Sequence, residues 1–494
     1  MCKDSMASTK IRFQELPVDI LDPIIQCLTD RRDWTSCALV NRDFNRISTP
    51  LLYHSLDSRA TSNTSVTLHP CQTLLQRPEL AQHVRRVTES ASIHRMALYN
   101  LTEDAARALA LCKSLESFTW ISTDDSKSAF VLHEFLTVLR ELPIARIKIR
   151  AHADIGNENW EKLITLSGLE SVSWFCMEGP PRVLQGWCEV LGPTLTHLEL
   201  GRCAGVPSSV LISVLLQLPK LESLLLKGAA AAAVTKILCL LPNLKQLDTE
   251  YLPSSSSHSY TRSLISFGDA VDKPRSPLRE LIIRASSLDS VTGPDMLWAW
   301  ILENTEGAGA SLEVFKLHAF VHAFSHLVLP RSLITGLAGF HGSTLRRFFA
   351  SAQLSLTDIE LLCTAFPLLE YIACSHWIEA GPDGLDSLKS AIAKGKNLRA
   401  LRLIIQTRRR SHSLSAVEAA DVMLRSEDSK LRFLAVDGSQ FTGKWHLVND
   451  ADDVSAEELP KRRDYQRIYN SSGQLRTLKF IVTKTERTDS GEDW

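Results

Sequence analysis

A short repeated pattern limits what this chain can fold into: one apolar residue, two variable residues, an apolar residue, one variable residue and a last apolar residue. Clear copies begin at Leu115, Ile144, Leu169, Leu195, Leu221, Leu278, Leu312, Leu369, Leu398, Leu431 and Leu475, and weaker copies begin at Val84, Leu244 and Leu345. The copies follow one another at intervals of about 30 residues, which is typical of repeat arrays.

The spacing inside each copy predicts a β-strand with one buried face. In Leu195-Thr-His-Leu198-Glu-Leu200, residues two apart lie on the same face, so Leu198 and Leu200 point inward and Glu199 points outward. The segments between copies have helical apolar spacing and end at a proline, which lacks the donor that a helix interior needs. These prolines are Pro219, Pro242 and Pro367. The predicted unit is therefore helix, proline, strand.

This α/β alternation resembles the leucine-rich repeat over about residues 61–483. The resemblance implies an irregular leucine-rich-repeat solenoid, a right-handed βα horseshoe or arc. Only Cys203 clearly occupies the Asn or Cys position of that repeat, and the repeat lengths vary from 26, 26 and 23 residues to 34, 34 and 33. A doubly wound α/β domain is the alternative, but fourteen strands are too many for one ordinary open sheet.

Polar segments set the predicted limits of the array. We expect a disordered N-terminus at residues 1–12, loop insertions near 253–277 and 444–473, and a disordered tail at 484–494.

The first 60 residues follow a different, helical pattern. Ile20, Ile24 and Leu28 recur every four residues, and a second apolar face begins at Trp34 and runs to Phe44. Two or three short helices bury little surface, so such a unit usually needs a partner. An excess apolar face in this region predicts a docking surface.

Residues 13–60 resemble the F-box, on the opening Leu-Pro-x-Asp-Ile-Leu, the Cys37-Ala-Leu-Val-Asn-Arg42 core and the closing Thr49-Pro-Leu-Leu-Tyr53. The F-box docks on the Skp-type adaptor of cullin–RING ubiquitin ligases. The resemblance implies that the following residues contact the adaptor or brace that surface: Leu16, Pro17, Ile20, Leu21, Ile25, Leu28, Trp34, Leu39 and Val40. Pro23 departs from the pattern, because Asp22-Pro23 would start the first helix late. The alternative is a helical cap on the first repeat.

No catalytic motif stands out. The chain has no Cys-x-x-Cys pair, no phosphate-binding glycine loop and no nucleophile elbow, so we expect no enzyme activity, cofactor or metal. His318, His322 and His326 would share a face only on a helix, and a His-rich loop is the alternative. The runs Arg408–Arg410 and Lys461–Arg463 are short for nuclear localisation signals and favour solvated loops.

Composition excludes several classes of protein. A formal net charge of −1 gives no field that attracts nucleic acid or anionic lipid, and no apolar run reaches the roughly 20 residues of a bilayer span. Eleven cysteines at ordinary density, with no secretory signal pattern, indicate reduced thiols in the cytoplasm or nucleus.

The sequence thus predicts a substrate-recognition subunit of an SCF-type ubiquitin ligase, in which the F-box docks and the solenoid binds an unknown target. Outward residues at strand centres are the candidate target contacts: Lys148, Ser173, Glu199, Lys316, Arg402 and Lys479. A scaffold without a role in ubiquitination and an enzyme with an unrecognised site are the alternatives.

Overall fold

The computed structural model describes residues 18–58, 69–96, 100–123, 128–252, 276–285, 293–306, 312–319, 327–376, 382–405, 414–426, 428–436, 438–447, 465–469 and 475–486. The chain divides into two compact units, residues 1–202 and 203–494. The predicted disordered N-terminus, the 253–275 insertion, the middle of the 444–473 insertion and residues 487–494 lie outside the described residues.

The first unit begins with three helices, α1 (Val18–Gln26), α2 (Arg31–Ala38) and α3 (Arg42–His54). Asp30 caps α2 and Asn41 caps α3, each through a side-chain oxygen that accepts a backbone N–H of the first turn. Pro23 lies inside α1, so the expectation that Asp22-Pro23 delays the first helix is wrong. Proline is tolerated there because the helix is short and exposes Pro23 to solvent.

The remainder of the first unit alternates strands and helices. Its strands are β1 (Ser55–Asp57), β2 (Arg86–Ser90), β3 (Ser117–Ser122), β4 (Arg146–Ala151), β5 (Ser171–Cys176) and β6 (His197–Leu200). Its helices are α4 (Pro70–Gln76), a 3-10 helix (Pro78–His83), α5 (Ala91–Met96), α6 (Leu101–Leu111), α7 (Ser128–Leu139), α8 (Asn157–Leu163) and α9 (Cys188–Leu191). Each strand pairs in parallel with the next one along the chain.

The second unit continues the same alternation. Its parallel strands are β7 (Ser223–Leu226), β8 (Gln246–Glu250), β9 (Glu280–Ala285), β10 (Val314–Ala319), β11 (Arg347–Leu354), β12 (Tyr371–His376), β13 (Ala400–Ile405) and β14 (Phe433–Val436). Its helices are α10 (Ser208–Leu215), α11 (Ala231–Leu240), α12 (Gly293–Thr305), α13 (Arg331–His341), α14 (Leu356–Ala365), α15 (Pro382–Ile392) and α16 (Ala416–Met423).

The second unit ends in antiparallel strands, β15 (Ser439–Leu447), β16 (Tyr465–Tyr469) and β17 (Leu475–Glu486). The copy of the pattern that begins at Leu475 was therefore assigned wrongly to a parallel repeat. A run of alternating residues fits parallel and antiparallel strands equally well, so the pattern alone does not distinguish them. The predicted insertion at 444–473 contains strand residues: 444–447 belong to β15 and 465–469 form β16.

The other thirteen copies are confirmed as entries to parallel strands. Their first residues are at most 4% exposed, from Val84 at 0% to Ile144 at 4%. Along β3 and β4 buried and partly exposed side chains alternate, as expected for one core face. Helices α10, α11 and α14 end shortly before Pro219, Pro242 and Pro367, as predicted. The α/β leucine-rich-repeat fold with an N-terminal helical region is thus confirmed.

None of the described helices combines the length and apolar character that crossing a bilayer would require.

Candidate functional site

The N-terminal helices have a small core and also an exposed apolar face. Leu21, Ile25 and Phe44 form the core, and Leu28, Trp34, Cys37, Ile47 and Leu51 pack against it. Four apolar residues of the same region remain in solvent: Ile20 is 45% exposed, Ile24 47%, Leu39 82% and Val40 62%. We call these four residues the exposed apolar face.

The predicted docking residues divide between the core and the exposed apolar face. Ile20, Leu39 and Val40 are exposed, whereas Leu21 and Ile25 are buried beneath them. Leu28 and Trp34 are half-buried, and the Trp34 indole N–H donates to the Ile25 carbonyl oxygen at 3.3 Å. Leu16 and Pro17 lie outside the described residues. Ile24 was not among the predicted contacts, although its spacing of four residues from Ile20 and Leu28 places it on the same apolar helix face.

Helix α3 connects the exposed apolar face to the first repeats. This helix leads directly into β1, and β1 pairs with β2 through Ser55 opposite Arg86 and Leu56 opposite Val87. The Arg85 N–H donates to the His54 carbonyl oxygen at 3.0 Å. Because β1 follows α3 without a linker, the helical region is also an end element of the sheet. The docking and capping interpretations of the sequence are therefore compatible.

A buried polar cluster lies beside that junction. The Glu89 Oε2 atom accepts the Ser58 hydroxyl at 2.6 Å and lies 3.2 Å from both His69 Nε2 and His94 Nε2. Glu89, His69 and His94 are 5%, 7% and 8% exposed. Glu89 occupies the inward strand position that Trp120 occupies in β3. A signal for this site is present in the repeat pattern, because the weak copy at Val84 ends in Glu89 where clear copies end in an apolar residue.

Burial and hydrogen bonding together set the pKa values of Glu89 and His69 in this cluster. Burial raises the pKa of Glu89, but the hydrogen bonds and charges of His69 and His94 outweigh it and bring the pKa to about 2. Burial lowers the pKa of His69, whereas its contacts with Cys71 and Glu89 bring the net value to about 9. The His69 Nδ1 atom accepts the Cys71 backbone N–H at 3.2 Å, so Nε2 is the ring nitrogen that donates to Glu89. We therefore assign an ionised Glu89 that accepts from His69 Nε2.

The same three residues are of metal-ligand type, and their ligand atoms lie within 4.8 Å of one another. An imidazole that binds a metal through Nε2 carries its proton on Nδ1. In His69 that atom is already an acceptor for the Cys71 amide. The donors and acceptors of the cluster are satisfied as hydrogen bonds, which is the arrangement expected of a structural link between β1, β2 and α5.

The outward strand residues of the first unit form a connected polar network. Glu199 accepts from Ser173 at 2.5 Å and from Arg150 at 3.2 Å. Burial and the neighbouring Arg150 lower the pKa of Lys148, and Glu199 opposes them. Ser173 is 8% exposed. Lys148 and Glu199 thus lie on the outward face as predicted, whereas Ser173 is covered by its neighbours.

The three predicted contact residues of the second unit lie in different settings. Lys316 in β10 forms an ion pair with Glu280 at 3.1 Å. Arg402 lies on the outward face of β13, where its side chain is hydrogen-bonded to Tyr371. Lys479 is exposed in β17, on the antiparallel ladder and not on a parallel repeat strand as expected.

The predicted histidine group is only partly described. His318 lies in strand β10 with its ring 4.6 Å from that of Phe349, while His322 and His326 lie outside the described residues. A helix that begins at His318 is therefore excluded. The basic runs 408–410 and 461–463 also lie outside the described residues.

Comparison with known proteins identifies the helical region. Residues 13–91 match the family described as the COS11 F-box domain, so the chain carries an F-box domain that extends beyond the predicted limit at residue 60. No curated protein matches the chain significantly in sequence.

The chain is also similar to several solved structures, among them the following three. The leucine-rich-repeat protein LegL7 from Legionella pneumophila is 14% identical, with 69% of this chain and 97% of that chain covered and a TM-score of 0.35. The complex of Rad7 and Elc1 in yeast gives 12% identity, coverage of 79% and 88%, and a TM-score of 0.41. A leucine-rich-repeat protein of Leptospira interrogans gives 14% identity, coverage of 73% and 98%, and a TM-score of 0.29. These values are too low to support any assignment of function.

Proposed function

We propose that this chain is a substrate-recruiting subunit of an SCF-type ubiquitin ligase. In this proposal the F-box domain binds a Skp-type adaptor, and through it a cullin–RING ligase, while the repeats bind a target protein. One observation carries the proposal: within the residues that match an F-box domain, Leu39 is 82% exposed and Val40 is 62% exposed.

The exposure of these residues has an energetic consequence. An apolar side chain gains roughly 1.5–3 kcal/mol when it moves from water into a protein interface. Leu39 and Val40 follow the end of α2, and Ile20 and Ile24 lie on α1. The helical core beneath them is already filled by Leu21, Ile25 and Phe44. An adaptor can therefore bury the exposed apolar face without rearrangement of the helices.

The proposed mechanism is proximity without catalysis on this chain. The adaptor joins the chain to a separately supplied catalytic module, and the repeats hold a target beside it at high effective concentration. Stacked strands present an extended outward surface that suits protein recognition. The ten cysteines that the structure describes are free thiols, which fits a function in the reducing cytoplasm or nucleus.

Target turnover tests the proposal. In cells that express the double variant Leu39→Asp, Val40→Asp, we expect the chain to capture targets but to lose adaptor, so captured targets become longer-lived. The matched control is Leu216→Asp, Val417→Asp, because Leu216 and Val417 are also exposed, at 51% and 79%, but belong to the repeats: Leu216 caps the end of α10 and Val417 lies on α16. The control should leave target half-life unchanged. Equal target half-lives with wild type and the docking variant would favour the scaffold alternative.

A further inference from the structure

The outward face of β11–β14 carries a group of aromatic and cationic residues. Arg347 lies opposite Tyr371, and Phe349 lies opposite Ala373, in the β11–β12 pairing. On the next strands Arg402 lies opposite Ala373, and Phe433 lies beside Ala400. We define the arginine–aromatic patch as Arg347, Phe349, Tyr371, Ala373, Arg402 and Phe433.

Burial shows which residues of the patch face outward. The neighbouring inward residues Phe348 and Ile372 are fully buried, so the alternating residues Phe349 and Tyr371 lie on the outward face. Phe349, Tyr371, Arg402 and Phe433 are half-buried. Ala373 is only 1% exposed although it also lies on the outward face. The larger side chains around Ala373 therefore cover it, and these aromatic and arginine side chains form the outer surface of the patch.

The two arginines of the patch have no carboxylate partner among the described residues. Arg402 is hydrogen-bonded to the Tyr371 side chain, and Arg347 lies opposite Tyr371 in the β11–β12 pairing. Within the part of the chain that the structure describes, neither arginine has a carboxylate within 4.0 Å. Other outward cations of the same unit are paired: Lys316 with Glu280 at 3.1 Å, and Arg284 with Asp248 at 2.8 Å.

We infer that the arginine–aromatic patch binds a linear segment of the target protein in which an Asp or Glu stands beside an apolar side chain. The inference rests on the proposed function, since it names the class of target segment that the receptor recognises. Arginine matches a carboxylate with two parallel N–H donors, and desolvation by the surrounding rings strengthens such a pair. The apolar neighbour of that carboxylate packs against the partly exposed rings of Phe349 and Tyr371.

The composition of the patch favours a protein over a nucleic acid. Arginine, tyrosine and phenylalanine are enriched at protein interfaces and supply most of their strongest contacts. A nucleic acid requires several phosphate contacts for affinity at physiological salt. The patch instead holds only two arginines, and the whole chain has a net charge of −1.

A phage-displayed library of random peptides, selected on the full chain, tests the inference. We expect enriched peptides that carry Asp or Glu next to an apolar residue, with binding at least tenfold weaker to Arg347→Glu, Arg402→Glu. That variant should in turn select peptides rich in Lys or Arg. The charge-matched control Lys394→Glu, Lys430→Glu changes two exposed lysines outside the patch and should bind the enriched peptides like wild type.

Several results would overturn the inference. The inference is wrong if no peptides are selected, if the enriched peptides lack acidic residues, or if wild type and Arg347→Glu, Arg402→Glu bind peptides equally. Preferential binding of a single-stranded RNA oligonucleotide would also overturn it. The milder variant Arg347→Gln, Arg402→Gln keeps the test valid if the charge reversal fails to fold. Adaptor binding measured on the same preparations separates the two proposals. If the chain binds acidic peptides but does not bind the adaptor, only the proposed function is wrong.

Discussion

The Ser58 hydroxyl lies 2.6 Å from Glu89 Oε2, so the residue that follows β1 is hydrogen-bonded to a buried carboxylate of β2. Together with the β1–β2 pairing, this bond makes the F-box helices continuous with the first repeat. Removal of residues 1–60 would therefore delete β1 and leave Glu89 without one of its three donors. Point substitutions on the exposed apolar face separate docking from folding more cleanly than truncation does.

The Glu89→Gln variant should destabilise the first unit. The change removes the charge that strengthens the hydrogen bonds from Ser58, His69 and His94, and such bonds contribute roughly 1.5–3 kcal/mol when one partner is ionised. We expect a loss of about 2–3 kcal/mol in the free energy of unfolding, measured by urea denaturation. The control Glu79→Gln changes an exposed glutamate that forms a surface ion pair with Arg77 and should cost far less. Equal effects would contradict the structural role of the cluster.

Acid should abolish the contribution of Glu89 to the free energy of unfolding of the wild-type chain. The pKa of Glu89 is about 2 in the folded chain and 4.5 ordinarily, so the unfolded chain binds more protons between these values. The contribution of Glu89 is therefore complete above pH 4.5 and falls as the pH drops toward 2, by about 3 kcal/mol in all. The stability difference between wild type and Glu89→Gln should shrink steadily below pH 4.5. A difference that stays constant with pH would refute an ionised Glu89.

Two adjacent leucines of β7 test the orientation of the repeat strands. Leu224 is 1% exposed, whereas Leu225 is half-buried on the outward face. Leu224→Ala should lower the free energy of unfolding by about 3 kcal/mol because it leaves a cavity in the core. Leu225→Ala should cost less than about 1 kcal/mol. Urea denaturation of both variants measures the contrast, and similar losses would show that the strand faces are assigned wrongly.

Two adjacent isoleucines of α1 separate the helical core from the exposed apolar face. Ile25 is 1% exposed and Ile24 is 47% exposed. Ile25→Ala should speed amide hydrogen exchange in the F-box helices, because deletion of buried methyl groups costs about 2–5 kcal/mol. Ile24→Ala should leave exchange unchanged and weaken adaptor binding about tenfold. If Ile24→Ala also accelerates exchange, Ile24 belongs to the core and not to a docking surface.

The sequence predicted the repeat strands well because their signal is local. Each strand needs only inward apolar residues two apart, such as Leu198 and Leu200, and a helix stop such as Pro219, so periodicity places it. The same local signal misplaced Leu475, since the partner of an end strand is chosen by residues distant in the chain. The His69–Glu89–His94 cluster escaped prediction for that reason, because His69 before α4 and His94 in α5 meet Glu89 of β2 only in the folded chain.

Site residues were predicted less completely than strands. Ile20, Leu39 and Val40 lie in solvent as a docking surface requires, but periodicity could not tell which apolar residues of a short helix face its own core. Arg402 was expected on the outward face, whereas its contact with Tyr371 depends on strand register across β12 and β13. Register is fixed by packing between strands and not by either strand alone.

Adaptor binding by the exposed apolar face is the central claim, and calorimetric titration of the full chain with a purified Skp-type adaptor tests it most directly. Wild type and the control Leu216→Asp, Val417→Asp should bind the adaptor with equal affinity. Leu39→Asp, Val40→Asp should keep the wild-type melting temperature and bind at least about a hundredfold more weakly, since two side chains lose their burial. Adaptor binding by Leu39→Asp, Val40→Asp at wild-type affinity would contradict the account.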